Sequence, residues 1–243
     1  MRPPSITIIT PCYNESGVIT RFLESLGETL ATLPYSFCVI VVDDCSADDT
    51  LLLLNDFRFS AGNIFLKIIS LESNVGHQVA IYHGFLYAQT LACDHFIVMD
   101  SDGEDAPAVI PALLQYTDTD IVNVVRGSRK ESLLFRICYY SYKVIFRLMT
   151  GKQMNYGNFC LISRNVLETA IASNFSHLAA FLSKQHVNTH YIVAGKEKRI
   201  GGRSKMGFVK HFKHAIGSFA ECRDLIKLPE LLPIITFMIL MIF

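Results

Sequence analysis

The feature that most constrains the fold of this chain is a regular alternation of short apolar runs with segments of helical periodicity. Five runs are rich in β-branched or aromatic residues and end in polar loops, which predicts buried strands. These runs are residues 6–10, 37–42, 65–70, 95–99 and 120–125. Because alternating strands and helices favour parallel pairing, we expect an α/β fold with a mostly parallel sheet and helices on both faces.

Helix-period segments separate these runs. Between the first two strands, five apolar residues recur at helical spacing, namely Ile19, Phe22, Leu26, Leu30 and Leu33. Asn14 and Ser16 precede them and offer the side chains that commonly begin helices. A further helix is predicted over residues 134–148, ended by Gly151. The 243 residues suffice for one sizeable domain of this kind.

Polar residues collect directly after the strands, where ligands bind in parallel sheets. The fourth strand is followed by Asp100, Ser101 and Asp102, with Glu104 and Asp105 close behind. Two carboxylates at this spacing can serve a nucleotide sugar, one through a bound Mg²⁺ or Mn²⁺ and one through the nucleotide. The alternative is a solvated acidic turn without a function, since Asp favours turns.

Two more loops predict nucleotide contacts. Asp44 follows the second strand, where a carboxylate can accept hydrogen bonds from a base edge or from ribose hydroxyls. Alternatively, Ser46 or Asp48 caps a helix over residues 49–57, and both roles can hold at once. Residues 74–78 precede a helix that runs to about residue 91; Gly76 suits a tight turn and the helix start favours an anion. Alternatively, His77 is only a surface residue of this turn.

A glycine-rich basic loop over residues 199–205 can clamp phosphate through its backbone N–H groups and its basic side chains. The alternative is a flexible, solvated loop. The helix that follows has an apolar face with basic flanks, as in a helix that lies on a membrane. Its face consists of Phe208, Phe212, Ile216 and Phe219, and its flanks of Lys210, Lys213 and His214. The alternative is a helix that faces the core.

Residues 231–243 are apolar apart from Thr236 and are shorter than the roughly 20 residues of a spanning helix. They are therefore expected to lie in the membrane interface or to be part of a longer membrane segment. We accordingly divide the chain into a catalytic domain, residues 1–205, and a membrane-associated region, residues 206–243, with an amphipathic helix.

Composition narrows the classes of protein. A net charge of +0 argues against nucleic acid as a partner, and a hydrophobic fraction of 51% argues against disorder. The 7 cysteines form no CxxC pair, which favours reduced thiols and a cytoplasmic side. The N-terminus shows no signal peptide pattern. A dinucleotide dehydrogenase would need G-x-G-x-x-G after the first strand, and residues 11–16 contain no glycine.

Read together, these stretches resemble glycosyltransferase family 2, in particular its polyprenyl-phosphate branch, which includes dolichyl-phosphate mannosyltransferases. The resemblance runs from residue 5 to about residue 213 and rests on the order and spacing of six stretches. They are ITIITPCYNE, VIVVDDCSADDT, SNVGHQVAIYHGFLYA, VMDSDGEDAP, GNFCLISR and RIGGRSKM.

The resemblance implies a GT-A fold, inversion at the anomeric carbon and a divalent metal, Mg²⁺ or Mn²⁺. The nucleotide-sugar-binding residues are then Pro11, Tyr13, Glu15, Asp44, Asn74, His77 and Asp100. The metal ligands are Asp100, Asp102 and Glu104, and the catalytic residues are Asp102, Glu104 and Asp105. The residues that bind phosphate or the acceptor are Arg199, Arg203, Ser204 and Lys205.

The chain departs from the family pattern at two positions of the site. Many relatives carry Gln in the place of Glu104, and several carry Asp in the place of Asn158, where a catalytic base has been suspected. Asn cannot take up a proton, so that role is not available here. The paired membrane helices of many relatives are also missing.

The first interpretation is an enzyme that moves a hexose from a UDP- or GDP-sugar to a polyprenyl phosphate. One alternative keeps the donor and changes the acceptor to a saccharide or glycolipid hydroxyl. Another is a non-catalytic nucleotide-sugar-binding protein. The expected partners are the donor, a lipid phosphate and the membrane surface; whether the chain forms a homo-oligomer stays open.

Overall fold

The structure, a computed structural model, describes residues 4–126, 133–152, 155–194 and 216–225. Its strands are β1 (Ser5–Cys12), β2 (Ser36–Asp43), β3 (Ile64–Ser70), β4 (His95–Val98), β5 (Ile121–Arg126), β6 (Tyr156–Ser163) and β7 (Thr189–Ala194). Its helices are α1 (Ile19–Ala31), α2 (Thr50–Asp56), α3 (His77–Ala88), α4 (Ile110–Leu113), α5 (Leu133–Thr150), α6 (Arg164–Ser173) and α7 (Leu178–Lys184).

The described strands form one 7-stranded sheet in the order β3-β2-β1-β4-β6-β5-β7. Strands β1, β2, β3 and β4 pair in parallel, as do β5 and β7. Strand β6 runs antiparallel to both of its neighbours, β4 and β5. The predicted mostly parallel sheet is therefore confirmed, and the five predicted strands are present with their ends displaced by a residue or two. Strands β6 and β7 are not anticipated from the sequence.

The hydrophobic core lies between the sheet and α1. Phe22, Leu26 and Leu30 of α1 are fully buried in one cluster with Ile6 and Ile8 of β1. Their spacing puts them on one face of the helix, as the sequence predicts. A side chain of this kind contributes about 1.5–3 kcal/mol when it is fully buried.

The predicted start of α1 is wrong in its detail. The helix begins at Ile19, and its N-cap residue Val18 makes no side-chain capping hydrogen bond. The N–H groups of Val18 and Ile19 instead donate to the backbone carbonyl of Glu15, at 2.9 and 2.8 Å. The polar side chains of Asn14 and Ser16 contact residues of the next loop, so they organise the site and not the helix end.

Helix α3 packs on the other side of β1 and β2, and a glycine permits its close approach. A Cβ atom built at Gly84 would lie 2.4 Å from Cγ2 of Ile9 and 3.3 Å from Cγ2 of Val42. Both neighbours are fully buried, so neither can move aside cheaply. The short distance between α3 and the sheet therefore depends on Gly84 having no side chain.

The chain divides into two compact units. The first contains residues 1–128, 156–175 and 187–205, and thus the whole sheet. The second contains residues 129–155, 176–186 and 206–243. The second unit therefore gathers α5 and α7 in addition to the region that the sequence separates at residue 206.

An ionic group organises the second unit. The ammonium of Lys184 on α7 lies 3.2 Å from Oε1 of Glu221 and 3.3 Å from Oδ1 of Asp224. Oε2 of Glu221 accepts hydrogen bonds from the N–H and the hydroxyl of Ser176, at 2.7 and 2.9 Å. Partial burial disfavours the charged form of Lys184, but Glu221 and Asp224 outweigh it and raise its pKa. These contacts join residues 216–225 to the segment around α7.

Part of the predicted membrane helix falls in this unit. Residues 216–221 are helical, and Ile216 is exposed as predicted. Phe219, however, contacts the rings of Tyr142 and Phe146 on α5, with centroids 5.9 and 5.5 Å away. Phe219 is thus partly covered by α5, and its place in a membrane-facing stripe stays a prediction. The other predicted members, Phe208, Lys210, Phe212, Lys213 and His214, lie outside the described residues, as do residues 231–243. No helix within the described ranges is both long and apolar enough to cross a bilayer.

We expect Gly84→Ala to lower the free energy of unfolding by about 1–3 kcal/mol, because the added methyl group overpacks the contact with Ile9. Gly62→Ala is the control, since a Cβ at Gly62 meets nothing within 4 Å; its effect should stay within about 0.5 kcal/mol. Urea unfolding of both variants measures the difference. Equal midpoints for Gly84→Ala and the wild type would show that α3 does not need the close approach.

Candidate active site

The acidic loop, residues 100–105, is tied to the end of β1 and to itself. The hydroxyl of Ser101 donates to the carbonyl of Pro11 at 2.9 Å. The N–H of Asp100 donates to Oδ2 of Asp105 at 3.0 Å, and that carboxylate is buried. Asp105, predicted as catalytic, thus closes the loop on itself, while Ser101 holds the loop beside β1.

The other three acidic residues of the loop, Asp100, Asp102 and Glu104, are partly exposed. Oδ1 of Asp102 accepts the N–H of Glu104 at 2.9 Å, across a turn in which Gly103 has a φ of 78°. Such a turn favours glycine, because a side chain at this φ is strained. The loop therefore presents Asp102 and Glu104 together at the carboxyl edge of the sheet.

The loops after β1 and β2 are joined by side-chain hydrogen bonds. The N–H of Asn14 donates to Oγ of Ser46 at 2.8 Å, and the N–H of Ala47 donates back to Oδ1 of Asn14 at 2.7 Å. The N–H of Glu15 donates to Oγ1 of Thr50 at 2.8 Å. The N-cap residue of α2 is Asp49, which makes no side-chain capping hydrogen bond, but Oδ1 of Asp48 accepts the N–H of Thr50, the first residue of the helix, at 3.0 Å. Pro11, Tyr13 and Glu15, all predicted to bind the nucleotide, belong to this double loop.

Asp44 has a structural role that the sequence does not reveal. Its two carboxylate oxygens accept the N–H groups of Val75 and Gly76, at 2.7 and 2.9 Å. Nδ2 of Asn74 donates to its backbone carbonyl at 3.1 Å. Gly76 has a φ of 91°, which confirms the predicted tight turn before α3. Direct binding of a base or ribose by Asp44 stays a prediction.

The side chain of Asp100 in the acidic loop forms a connected polar group with three neighbours, His77, Gln78 and Asn158. We call these four side chains the imidazole cluster. Nε2 of Gln78 donates to Oδ1 of Asn158 at 3.3 Å. Nδ2 of Asn158 lies 2.9 Å from Nε2 of His77, and the same Nε2 lies 3.2 Å from Oδ1 of Asp100. His77 thus reaches the acidic loop, so it has more than the role of a surface turn residue.

The direction of β6 brings Asn158 to this cluster. Because β6 is antiparallel to β4, its beginning lies at the carboxyl end of β4, where the acidic loop starts. Val98 pairs with Cys160. Asp100 comes two residues after Val98, and Asn158 two residues before Cys160. A parallel β6 would have placed Asn158 at the opposite edge of the sheet.

The cluster alters the protonation of its histidine. Burial disfavours the charged imidazolium, but the negative charge of Asp100, its hydrogen bond and the charges of Asp102 and Asp105 outweigh it. The pKa of His77 is therefore raised above its usual value. The two contacts at Nε2 require different states of the ring. Nδ2 of Asn158 can donate only to a bare Nε2, whereas Nε2–H can donate to Asp100 and, once the Asn158 amide is turned by half a turn, to its oxygen as well.

The acidic loop suits a metal site whose coordination is completed by a bound substrate. Within the described ranges no three His, Cys, Asp or Glu side chains converge as a ready-made metal site. The predicted three-residue ligand set, Asp100, Asp102 and Glu104, is therefore not preformed. Its oxygens are nevertheless of the kind that Mg²⁺ and Mn²⁺ prefer, and Mg²⁺ is usually bound by one or two carboxylates together with substrate phosphates. The loop fits that arrangement.

The structure thus brings together the predicted residues of the four loops after β1, β2, β3 and β4. Arg199, Arg203, Ser204 and Lys205 lie outside the described residues. Sequence reasoning missed the supporting contacts of Ser101 and Gln78. The contact of Ser101 could have been predicted from its position between Asp100 and Asp102, whose orientation must be fixed. The sequence gives no indication of the contact of Gln78 other than its position next to His77.

Comparisons with known proteins agree with this arrangement. The sequence model of a family described as Glycosyl transferase family 2 matches residues 7–170. An undecaprenyl-phosphate 4-deoxy-4-formamido-L-arabinose transferase of Klebsiella pneumoniae is 28% identical over 160 residues, which cover 64% of this chain and 48% of that protein. An uncharacterised glycosyltransferase of Synechocystis sp. is 28% identical over 218 residues, which cover 87% of this chain and 67% of that protein. The chain spans about half the length of the Klebsiella transferase.

A solved structure supports the fold. The mannosyltransferase of Pyrobaculum calidifontis, in complex with GDP-Man and Mn²⁺, matches with a TM-score of 0.63 and 15% identity. The match covers 90% of this chain and 64% of that one. At this identity the likeness concerns the fold alone, and it confirms the predicted GT-A fold.

We expect the stability contributed by His77 to fall as the pH rises. A pKa raised in the folded state stabilises the fold below the unfolded value of about 6.5, and this stabilisation is lost as the pH passes the folded pKa. His77→Ala should therefore cost more stability at pH 6 than at pH 9. Urea unfolding in EDTA measures the free energy lost at each pH. The difference between the losses at pH 6 and pH 9 should shrink when Asp100→Asn is also present. A cost that is the same at both pH values would contradict the ion pair.

Proposed function

The chain belongs to glycosyl transferase family 2, and from that membership we propose that it transfers a sugar from a UDP- or GDP-sugar to a polyprenyl phosphate at a membrane surface. The observation that carries the proposal is the acidic loop, whose Asp100 and Asp102 stand at the carboxyl edge of a GT-A sheet. Its anchoring to Pro11 sets it beside the double loop in which the nucleotide would bind. The supporting contacts of the loop hold the carboxylates before any ligand arrives.

In this proposal Asp100 and Asp102 hold a divalent cation together with the donor diphosphate. When bound, the cation neutralises the charge that develops on the leaving diphosphate. Ser101 and Asp105 keep the loop in place, and Glu104 would lie near the metal. Pro11, Tyr13, Glu15 and Asp44 form or support the pocket for base and ribose. Inversion requires the acceptor to attack the anomeric carbon from the face opposite the diphosphate.

The acceptor in this proposal is a phosphate, and this removes the need for a general base. A phosphate monoester has a second pKa of about 6, so it is mostly ionised near neutral pH. It needs positioning more than proton removal. Asn158, where a base has been suspected in relatives, cannot take up a proton. The basic sequence over residues 199–205, outside the described residues, would supply charge for such an acceptor. The Klebsiella relative is named an undecaprenyl-phosphate 4-deoxy-4-formamido-L-arabinose transferase.

Helix α5 supports contact with a membrane surface. Tyr140, Val144 and Leu148 are exposed and recur every fourth residue, so they lie on one face. Residues 133–152 contain Arg136, Lys143, Arg147 and Lys152 but no acidic residue. An apolar face with basic residues is the pattern of a helix that lies on anionic lipid. The cytoplasmic side is proposed on the free cysteines, such as Cys45.

The proposal is tested with labelled UDP- and GDP-sugars and undecaprenyl phosphate in liposomes containing Mn²⁺. Hexose donors are the first choice, and an arabinose derivative is included because of the relative's name.

We expect Asp102→Asn or EDTA to remove several kcal/mol of transition-state stabilisation, on the order of a hundredfold in turnover. Asp118→Asn, an exposed aspartate outside the acidic loop, is the control. Full activity of Asp102→Asn would exclude the proposed metal role, and transfer only to hydroxyl acceptors would replace the phosphate acceptor.

We expect Tyr140→Ser with Leu148→Ser to weaken binding to anionic liposomes, because both remove exposed apolar surface from α5. The matched control is Leu52→Ser on α2, since Leu52 is 61% exposed and Leu148 is 62% exposed. Flotation of the full chain with phosphatidylserine liposomes measures the bound fraction. Equal flotation of the α5 variant and the Leu52→Ser control would show that this face does not touch lipid.

A further inference from the structure

The position of Asn158 in the imidazole cluster calls for an explanation, because the proposed reaction gives this residue no proton to move. Asn158 is buried and sits on β6, a strand that contributes no other side chain to the cluster. Its amide contacts Gln78 on one side and His77 on the other, at 3.3 and 2.9 Å. Both partners belong to the first turn of α3, so one residue on the sheet fixes two side chains of the helix.

The contact between His77 and Asp100 passes the effect on to the acidic loop. The imidazole side chain is 41% exposed, whereas that of Asp100 is 22% exposed. A half-exposed ring has rotational freedom unless something holds it. The buried amide of Asn158 meets the ring at Nε2, the same atom that lies 3.2 Å from Oδ1 of Asp100.

We propose that Asn158 is a positioning residue: with its amide turned so that its oxygen faces His77, it shares the Nε2–H of the ring with Asp100, holds the ring there and thereby fixes the orientation of the Asp100 carboxylate. Residues that orient the groups around a metal commonly affect affinity or activity about 10- to 100-fold when they are removed. The catalytic consequence rests on the proposed function, whereas the contact itself can be measured without any turnover.

The contact is measured by ¹⁵N NMR of the full chain labelled at histidine. The chain has 8 histidines, and His77→Ala identifies the signal of His77. We expect Asn158→Ala to shift the Nε2 resonance of His77 and to average its ring signals. The matched control is Ser163→Ala, which removes a 3.0 Å hydrogen bond to Asp120 at the other end of the same strand. An unchanged His77 signal in Asn158→Ala would overturn the proposal, whatever the chain catalyses.

The consequence is measured by a double-mutant cycle on donor turnover. We expect Asn158→Ala and His77→Ala each to lower kcat about tenfold with little change in the KM of the donor. Because both act through the same contact, the double variant should be no slower than either single one, and melting temperatures serve as the control for folding. Effects that multiply to about a hundredfold would mean independent roles and would overturn the proposal.

Asn158→Asp separates positioning from base catalysis. A carboxylate can accept from His77 but cannot donate to it, and it adds negative charge beside Asp100, so we expect activity between those of Asn158→Ala and the wild type. Transfer to a hydroxyl acceptor that is faster than in the wild type would show that the position serves a base, and the proposal would fail. If the wild type turns over no nucleotide sugar, the proposed function fails and the NMR result still decides the role of Asn158.

Discussion

The buried carboxylate of Asp44 is the contact on which the arrangement of the site depends. It pairs with two backbone N–H groups that precede α3, while its own N–H donates to the carbonyl of Cys12 at 2.9 Å. One residue therefore joins the ends of β1 and β2 to the start of α3. Both N–H groups are only partly buried, so losing each of these hydrogen bonds to a charged group should cost no more than about 1.5–3 kcal/mol. His77 follows directly in the chain, so its approach to Asp100 depends on the same anchor.

The acidic loop is held in a similar way, because side chains form hydrogen bonds with backbone groups at the ends of the strands. Ser101 bonds to Pro11, and Asp105 accepts the N–H of Asp100. Two of the loop's polar residues thus hold the loop, which leaves Asp102 and Glu104 at its partly exposed surface. A preorganised site of this kind pays for its geometry during folding and not during the reaction.

Much of this arrangement follows from the sequence, since strand ends and glycines leave local signals. Gly76 predicts its turn because only glycine adopts the required φ without strain, and Asp100 and Asp102 follow a clear apolar run. Strand β6 could not be predicted in the same way. Its first residues, Tyr156 to Asn158, read as a loop, and its antiparallel direction is decided by tertiary pairing.

The partners of the polar residues were equally inaccessible from the sequence. The sequence predicts a nucleotide contact for Asp44 and a catalytic role for Asp105, because a carboxylate after a strand gives no sign of which N–H it will meet. For Phe219, helical spacing defines a face of the helix but does not say what covers it. The partners of Asp44 and Phe219 lie in segments far away in the chain.

The place of β6 in the sheet has a consequence for the order in which the chain can fold during synthesis. Strands β1 to β4 adjoin one another in space, so they can pair as soon as they leave the ribosome. Strand β5 is made before β6 but reaches the rest of the sheet only through it. It must therefore wait, with both of its edges unpaired, until residues 156–163 are available. Strand β7 pairs with β5 and is the last of the described strands to be made. A nascent chain that stalls before Tyr156 would therefore have no strand beyond β4 in its sheet.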